Sequence, residues 1–327
     1  MSGWTVGVDF GGTNIKVGLV TDAGRVAATQ VLSAKRFGIP SKFVAGVGET
    51  VELLARSVRV SPRALRGVCV GAPGPVDAER GLVHRLVNVP GWRDVPLGRL
   101  LRQRLRCRCL VENDVNLVAL GEWRFGAGRG ARQLVCLTLG TGVGGGLICH
   151  GTLYRGASGA AGELGHMVID PHGARCGCGA RGCLEAHVGT AGILRLGRSV
   201  LHQQAGGRLT PALLNDAAGR GDGAAREVWR RVGRSLGIGV ANLVNALNPD
   251  RVVIGGGVAN AWRWFAPMLQ RTVRAQALPV AAHAVRIVRA QLGDHAGVVG
   301  AAVLIWDETQ DGGRGARGVG HGRRASR

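Results

Sequence analysis

Residues 6–20 read Val6-Gly7-Val8-Asp9-Phe10-Gly11-Gly12-Thr13-Asn14-Ile15-Lys16-Val17-Gly18-Leu19-Val20. The apolar run 6–10 has the length of a buried strand, and Gly11-Gly12 breaks it. Apolar residues resume over 15–20, so the stretch predicts a hairpin whose glycine tip leaves backbone N–H groups free. The same grammar recurs in the second half. Residues 134–139 are an apolar run, Gly140-Thr141-Gly142-Val143-Gly144-Gly145-Gly146 a glycine turn, and 147–150 a return strand. Two such units predict a duplicated α/β plan, with two lobes facing each other across a cleft.

Outward from the first hairpin, 26–32 reads as a third strand and 43–58 has helical spacing of apolar residues. Residues 65–70 form a strand ending in Gly71-Ala72-Pro73-Gly74-Pro75. A basic amphipathic helix over 97–105, a short strand over 109–112 and a helix over 115–125 follow. In the second half, helices fill much of 186–248. A strand over 251–254 runs into Gly255-Gly256-Gly257. Then come a helix over 259–276, a strand over 284–288 and a last helix over 296–305. The chain thus divides into an N-terminal lobe (1–117, completed by the helix 296–306) and a C-terminal lobe (118–295) with a cysteine-rich insertion. The Gly/Arg-rich, apolar-poor segment 307–327 is expected to be disordered.

The 46% hydrophobic content supports a substantial core. No run of eighteen apolar residues and no charged-then-apolar leader is visible, so neither a membrane span nor a secretory signal is expected. Cys69, Cys107, Cys109, Cys136 and Cys149 lie in or beside apolar runs and read as free thiols of a reducing, cytoplasmic compartment. The net charge is +21, and the only lysines are Lys16, Lys35 and Lys42. A nucleic-acid face is one reading of that charge. The arginines are scattered, however, and aromatics make up only 4%, so no stacking platform shows and no specific nucleic-acid partner is expected.

Several groups could carry chemistry. Gly11, Gly12 and Thr13 let N–H and hydroxyl donors approach phosphate, and Asp9 could hold Mg²⁺ through water. The turn is not a Walker A loop, which needs Gly-Lys-Ser/Thr before a helix. Its recurrence as Gly140-Thr141-Gly142 suggests that two turns clamp one polyphosphate from opposite sides. Gly255, Gly256 and Gly257 could pack against an adenine or ribose, or form a plain loop. In Glu112-Asn113-Asp114, Asp114 opens a helix. It could be an ordinary N-cap, or the carboxylate that accepts a hydroxyl proton as a phosphoryl group is attacked. Asn113 beside it could hold a neighbouring sugar hydroxyl. Finally, His166, Cys176, Cys178 and Cys183 fall within eighteen residues. Three thiolates and an imidazole suit a tetrahedral Zn²⁺. A disulfide fits worse, because Cys176 and Cys178 are too close and one thiol would be left over. Glu163 and Glu185 flank this box and supply acceptors for a polyol.

Taken together these stretches resemble the ROK family (repressors, open reading frames and kinases), and within it the bacterial ATP-dependent glucokinases. The matching pieces are Asp9-Phe10-Gly11-Gly12-Thr13, Gly71-Ala72-Pro73-Gly74-Pro75-Val76-Asp77 and Asn88-Val89-Pro90-Gly91-Trp92. They continue with Glu112-Asn113-Asp114-Val115-Asn116, the glycine turn from Leu139 and Glu163-Leu164-Gly165-His166. The Cys-Gly-Cys-Gly-x-x-Gly-Cys-x-Glu box and Gly293-Asp294-His295-Ala296-Gly297 complete the pattern, which runs from about residue 4 to 305. The resemblance implies a two-lobed, actin-like ATPase fold of ribonuclease-H type. It implies Asp114 as catalytic base, Asn113, Glu163, His166 and Glu185 around the sugar, and structural zinc on His166, Cys176, Cys178 and Cys183. ATP with Mg²⁺, a hexose substrate and a homo-oligomer (dimer or tetramer) are further implications. ROK repressors carry a helix-turn-helix before the first phosphate turn. Here eight residues precede Asp9, so DNA binding by that route is not expected.

Overall fold

The computed structural model describes residues 3–37, 39–86, 91–201 and 209–311, with 309–311 as backbone only. In the N-terminal lobe, β1 (Trp4–Phe10), β2 (Asn14–Thr21) and β3 (Val26–Ser33) form an antiparallel meander. Helix α1 (Pro40–Ser57) leads to β4 (Leu65–Ala72), which returns parallel to β1. A small antiparallel sheet of β5 (Val76–Asp77), β6 (Leu82–Arg85) and β7 (Arg93–Val95) comes next, followed by α2 (Leu97–Leu105). Strand β8 (Cys109–Asn113) pairs parallel with β4 and passes directly into α3 (Asp114–Phe125).

The C-terminal lobe repeats the plan. Strands β9 (Leu134–Leu139), β10 (Val143–Cys149) and β11 (Thr152–Leu153) form its meander. Helices α4 (Leu184–Val188), α5 (Thr190–Val200), α6 (Pro211–Gly219) and α7 (Gly223–Leu247) follow. Then come β12 (Arg251–Gly255), α8 (Trp262–Gln276), α9 (Pro279–Ala284), β13 (Arg286–Arg289) and α10 (Ala296–Asp311). Sheet orders are β3-β2-β1-β4-β8 and β11-β10-β9-β12-β13, with the same strand senses in both. The expected duplication is therefore real.

Each lobe has its own core. Phe10, Phe43 and Trp92 meet in the first, with ring centroids 4.8–5.3 Å apart. Trp229 and Phe265 anchor the second, between α7 and α8. A third cluster joins them. Leu117 and Leu120 of α3 and Val298 and Ile305 of α10 pack with Cys69 from one sheet and Cys136 and Val253 from the other. The two helices come very close, since a Cβ on Gly300 would lie 1.7 Å from the carbonyl oxygen of Leu117.

Two expectations are corrected. The second glycine turn is shorter than 140–146, because β10 already begins at Val143. Its glycines serve packing instead. A Cβ on Gly146 would sit 2.7 Å from the Ala119 methyl, and one on Gly145 2.4 Å from the Gly162 carbonyl, so α3 and the 162–164 segment lie directly on the strand. The last helix runs on to Asp311, so residues 307–311 of the expected tail are helical. Ion pairs hold that turn: Asp307 to Arg124 at 3.3 Å and Glu308 to Arg108 at 2.6 Å. Residues 312–327, and Asn88-Val89-Pro90 of the quoted motif, lie outside the described residues.

Candidate active site

Parallel strands β1, β4 and β8 end on one edge, where the register aligns Asp9 with Gly71 and Gly71 with Glu112. Such an edge is where open α/β sheets place their ligands. Asp114 follows at once as the first residue of α3. Gly71 allows this: a Cβ there would lie 2.8 Å from Leu117 Cδ1 and 3.2 Å from the Asp114 Cα.

Asn113, not Asp114, caps α3. Its Oδ1 accepts the N–H groups of Val115 at 2.9 Å and Asn116 at 3.2 Å, and its Nδ2 donates to the Gly74 carbonyl at 3.3 Å. The N-cap role considered for Asp114 falls to its neighbour because the cap must keep extended backbone (φ −63°, ψ 141°) while Asp114 is already helical. The Asp114 carboxylate accepts the Val115 N–H at 2.9 Å. Burial, seconded by the charge of Asp9, pushes its carboxyl up to about 7. The carboxyl of Asp9 is also raised, first by burial; nearby Lys16 opposes the shift and Asp294 adds to it.

Beneath this pair sits a side chain to which the sequence reading assigned no role. Glu112 is buried, and its Oε1 accepts the Asn113 N–H and the Asn116 amide, both at 2.9 Å. Its Oε2 accepts Arg155 Nε at 2.7 Å, a guanidinium from beyond β11 in the other lobe. A carboxylate ending an apolar strand was the signal available in sequence; its cross-lobe partner was not.

Asn113, Asp114, Glu163, His166 and Glu185 line one cleft of about 420 Å³, together with Gly140, Thr141, Gly142 and Gly256. His84 also lines it, with Nδ1 2.9 Å from Asp94 Oδ1, and was not singled out in sequence. Thr190 ties the second glycine turn down, its hydroxyl donating to the Gly140 carbonyl at 2.8 Å. The Val143 N–H, at the start of β10, donates to Glu185 Oε2 at 3.0 Å. Gly11, Gly12 and Thr13 are not part of the cleft wall; they form the partly to fully exposed tip of the β1–β2 hairpin, Gly11 N–H donating to the Asn14 carbonyl at 2.9 Å. Gly255 and Gly257 are likewise off the wall. Gly256, at φ +83°, is on it, and a Cβ there would meet the Leu139 carbonyl at 2.3 Å.

His166, Cys176, Cys178 and Cys183 present ligand atoms all within 4.8 Å of one another. Cys178 Sγ lies 3.7 Å from Cys183 Sγ, and Cys176 Sγ lies 3.7 Å from His166 Nδ1. Ligands about 2.3 Å from a tetrahedral zinc stand roughly 3.8 Å apart, so the donor set fits that ion. A disulfide needs about 2.05 Å, far less than these separations. With Nδ1 turned to the thiols, His166 turns Nε2 the other way, 3.8 Å from Glu163 Oε2.

Comparison with known proteins gives the family and the fold. The family model described as "ROK family" matches residues 5–308. A glucokinase of Halalkalibacterium halodurans is 36% identical over 313 residues, covering 92% of this chain and 94% of the relative. The crystal structure of a ROK hexokinase from Thermus thermophilus superposes with a TM-score of 0.79 at 32% identity, covering 94% and 99% of the two chains. A ROK family glucokinase from Streptomyces griseus, solved with glucose and AMPPNP, gives a TM-score of 0.75 at 33% identity, covering 92% and 99%.

Proposed function

The chain belongs to the ROK family, and from that premise we propose that it is a sugar kinase transferring the γ-phosphoryl group of ATP to the 6-hydroxyl of glucose, giving glucose 6-phosphate and ADP. The observation that carries the reading is the convergence of Asn113, Asp114, Glu163, His166 and Glu185 on one cleft beside the Gly140–Gly142 turn.

Phosphoryl transfer asks a protein mainly for positioning and charge stabilisation. Asp114 takes the 6-hydroxyl proton as the oxygen attacks. A carboxyl with a pKa near 7 is well matched to that exchange at neutral pH. The free N–H of the Asn113 amide and the carboxylates of Glu163 and Glu185 hold the other hydroxyls. On this reading the Gly140–Gly142 turn, with the Thr141 hydroxyl, receives the nucleotide phosphates at the cleft wall, and the exposed Gly11–Thr13 tip, off that wall, is assigned the same task by its sequence alone. Asp9, at the end of β1, would hold the nucleotide's Mg²⁺ through water, and the ion would neutralise charge developing on the phosphates.

His166, Cys176, Cys178 and Cys183 would hold a structural Zn²⁺, which supplies rigidity rather than chemistry. His166 then carries its proton on Nε2 and offers it to a sugar hydroxyl, the tautomer being set by the ligated nitrogen. The described cysteines are free thiols, as a reducing compartment would keep them.

Glucose is favoured over N-acetylglucosamine because Glu163 and Glu185 are acceptors best satisfied by hydroxyl hydrogens. An acetamido group would leave one underused, at a cost of about 1–3 kcal/mol, or roughly ten- to a hundredfold in kcat/KM. Mannose, differing only at C2, should be a poorer but real substrate. An ADP-release assay over glucose, mannose, fructose, allose and N-acetylglucosamine tests the assignment. Glucose is expected at the top; an N-acetylhexosamine there would replace glucose and leave the kinase reading standing, and no ADP release with any sugar would end it.

A further inference from the structure

A second cavity, of about 760 Å³, shares no wall residue with the cleft. It lies between α5 and α7, which pack against each other. Each helix offers an arginine and a serine one turn apart: Arg195 and Ser199 from α5, Arg231 and Ser235 from α7. Arg230 and Arg234 add two more guanidinium groups. Arginines that are scattered in sequence are here gathered around one hollow.

Among the described residues little neutralises them. Glu227 is the shared partner of Arg230 and Arg231, accepting the Nε of both. Arg195 spends one N–H on the Ala186 carbonyl. Arg234 has no hydrogen bond or ion pair among the described residues, and its guanidinium is exposed. Four guanidinium groups thus face two carboxylates, Glu227 and the wall residue Asp170. Concave walls of one sign focus the field, and guanidinium forks match phosphate oxygens in pairs. The cavity has a second character too. Asp170 uses Oδ1 for the His172 N–H, leaving Oδ2 as an acceptor, and the buried Nε2 of His187 has no partner. Those are groups for hydroxyls, not for more phosphate.

We propose that this cavity binds a phosphate monoester of a small polyhydroxylated molecule. Its phosphate lies among Arg195, Arg231 and Arg234, with the two serine hydroxyls as further donors, and its hydroxyls reach Asp170 and His187. A nucleic-acid strand fits less well, because among the described residues no Phe, Tyr or Trp lines the wall, and Asp170 would repel a continuing polyanion. The site borders the cleft along the chain: Asp170 lies between His166 and Cys176, and His187 is two residues beyond Glu185.

The test is binding by calorimetry on the full chain without Mg²⁺, using ribose 5-phosphate, inorganic phosphate and ribose as probes. It does not rest on the kinase reading, since no turnover is measured. Ribose 5-phosphate should bind at roughly 1 mM or tighter, inorganic phosphate more weakly and ribose not measurably. Arg234→Ala should weaken ribose 5-phosphate about tenfold by removing a charge-assisted fork, while Arg234→Lys restores part of the loss. Arg234 supports no other group, so both variants should fold. Arg63→Ala, which removes an exposed arginine in the other lobe, should change nothing. Equal losses from Arg63→Ala and Arg234→Ala would reduce the effect to the chain's overall charge and overturn the site. So would undetectable binding of ribose 5-phosphate, or ribose binding as well as its phosphate.

Discussion

Asp114 works against stability at neutral and higher pH. Its pKa, raised by burial to about 7 from an ordinary 3.8, means the folded chain prefers the neutral acid. That preference stabilises fully below about pH 4 and is lost as pH rises through about 7. Asp114→Asn should therefore match the parent near pH 4 but exceed it at pH 8.5 by about 2–4 kcal/mol in urea unfolding. The same variant should lose ~10²–10⁴-fold in kcat, because an amide cannot take the proton. In the parent, kcat/KM should fall as pH drops below about 7. A variant with nearly full kcat would leave Asp114 without a catalytic part. At the zinc-type cluster, Cys178→Ser removes one of four donors whose atoms lie within 4.8 Å. Metal analysis should find one zinc per parent chain and none in the variant, with a lower melting temperature, since metal affinity there is also folding energy. A fully active parent without zinc would dispose of the metal assignment.

Helices α3 and α10 are the elements on which the cleft depends. Helix α3 carries Asp114 at its first residue, and α10 supports it from the side opposite β10. Glu122 of α3 is buried and fixes the other end, accepting the N–H groups of Ala127, Gln291 and Leu292 at 2.7–3.0 Å. Gly300→Ala would drive a methyl into the Leu117 carbonyl, which only separation of the helices can relieve. Overpacking of this kind costs about 1–3 kcal/mol or more. Thermal unfolding should show the drop, and kcat should fall with it because Leu117 lies one turn from Asp114. Unchanged stability would mean that the helices part without cost.

At the scale of the molecule, the two lobes share one sheet plan and meet through the α3–α10 layer and the Glu112–Arg155 ion pair. The chain end joins that layer as far as Asp311. Beyond it, residues 312–327 carry only Ala316, Val319 and Ala325 as apolar side chains. A chain ending at Asp311 should keep its kcat/KM and lose salt-sensitive binding to nucleic acid, measured by titration at two ionic strengths. One ending at Trp306 should be less stable, having given up the pairs of Asp307 with Arg124 and Glu308 with Arg108. A marked fall in kcat/KM on ending at Asp311 would tie the last sixteen residues to the cleft.

Local chemistry accounts for what is legible in the sequence. Glycines at 11–12 and 140–142 interrupt apolar runs, and a period-two strand on each side needs no distant information, so the duplicated α/β plan could be read directly. The Cys-x-Cys box and the Glu-Leu-Gly-His element are likewise short-range patterns, set by the spacing that ligands around one ion require. Other features depend on groups far apart in the chain. That Asn113 rather than Asp114 caps α3 follows from backbone angles, and that Gly144, Gly145 and Gly146 serve a strand follows from what packs on it. Arg155 finds Glu112 across forty-three residues, and Asp9 raises the Asp114 pKa across more than a hundred. Burial and Coulomb interactions are sums over three-dimensional neighbours, and those neighbours exist only once β1, β4 and β8 have joined in one sheet for Asp9 and Asp114, and once the second lobe has met the first for Arg155 and Glu112.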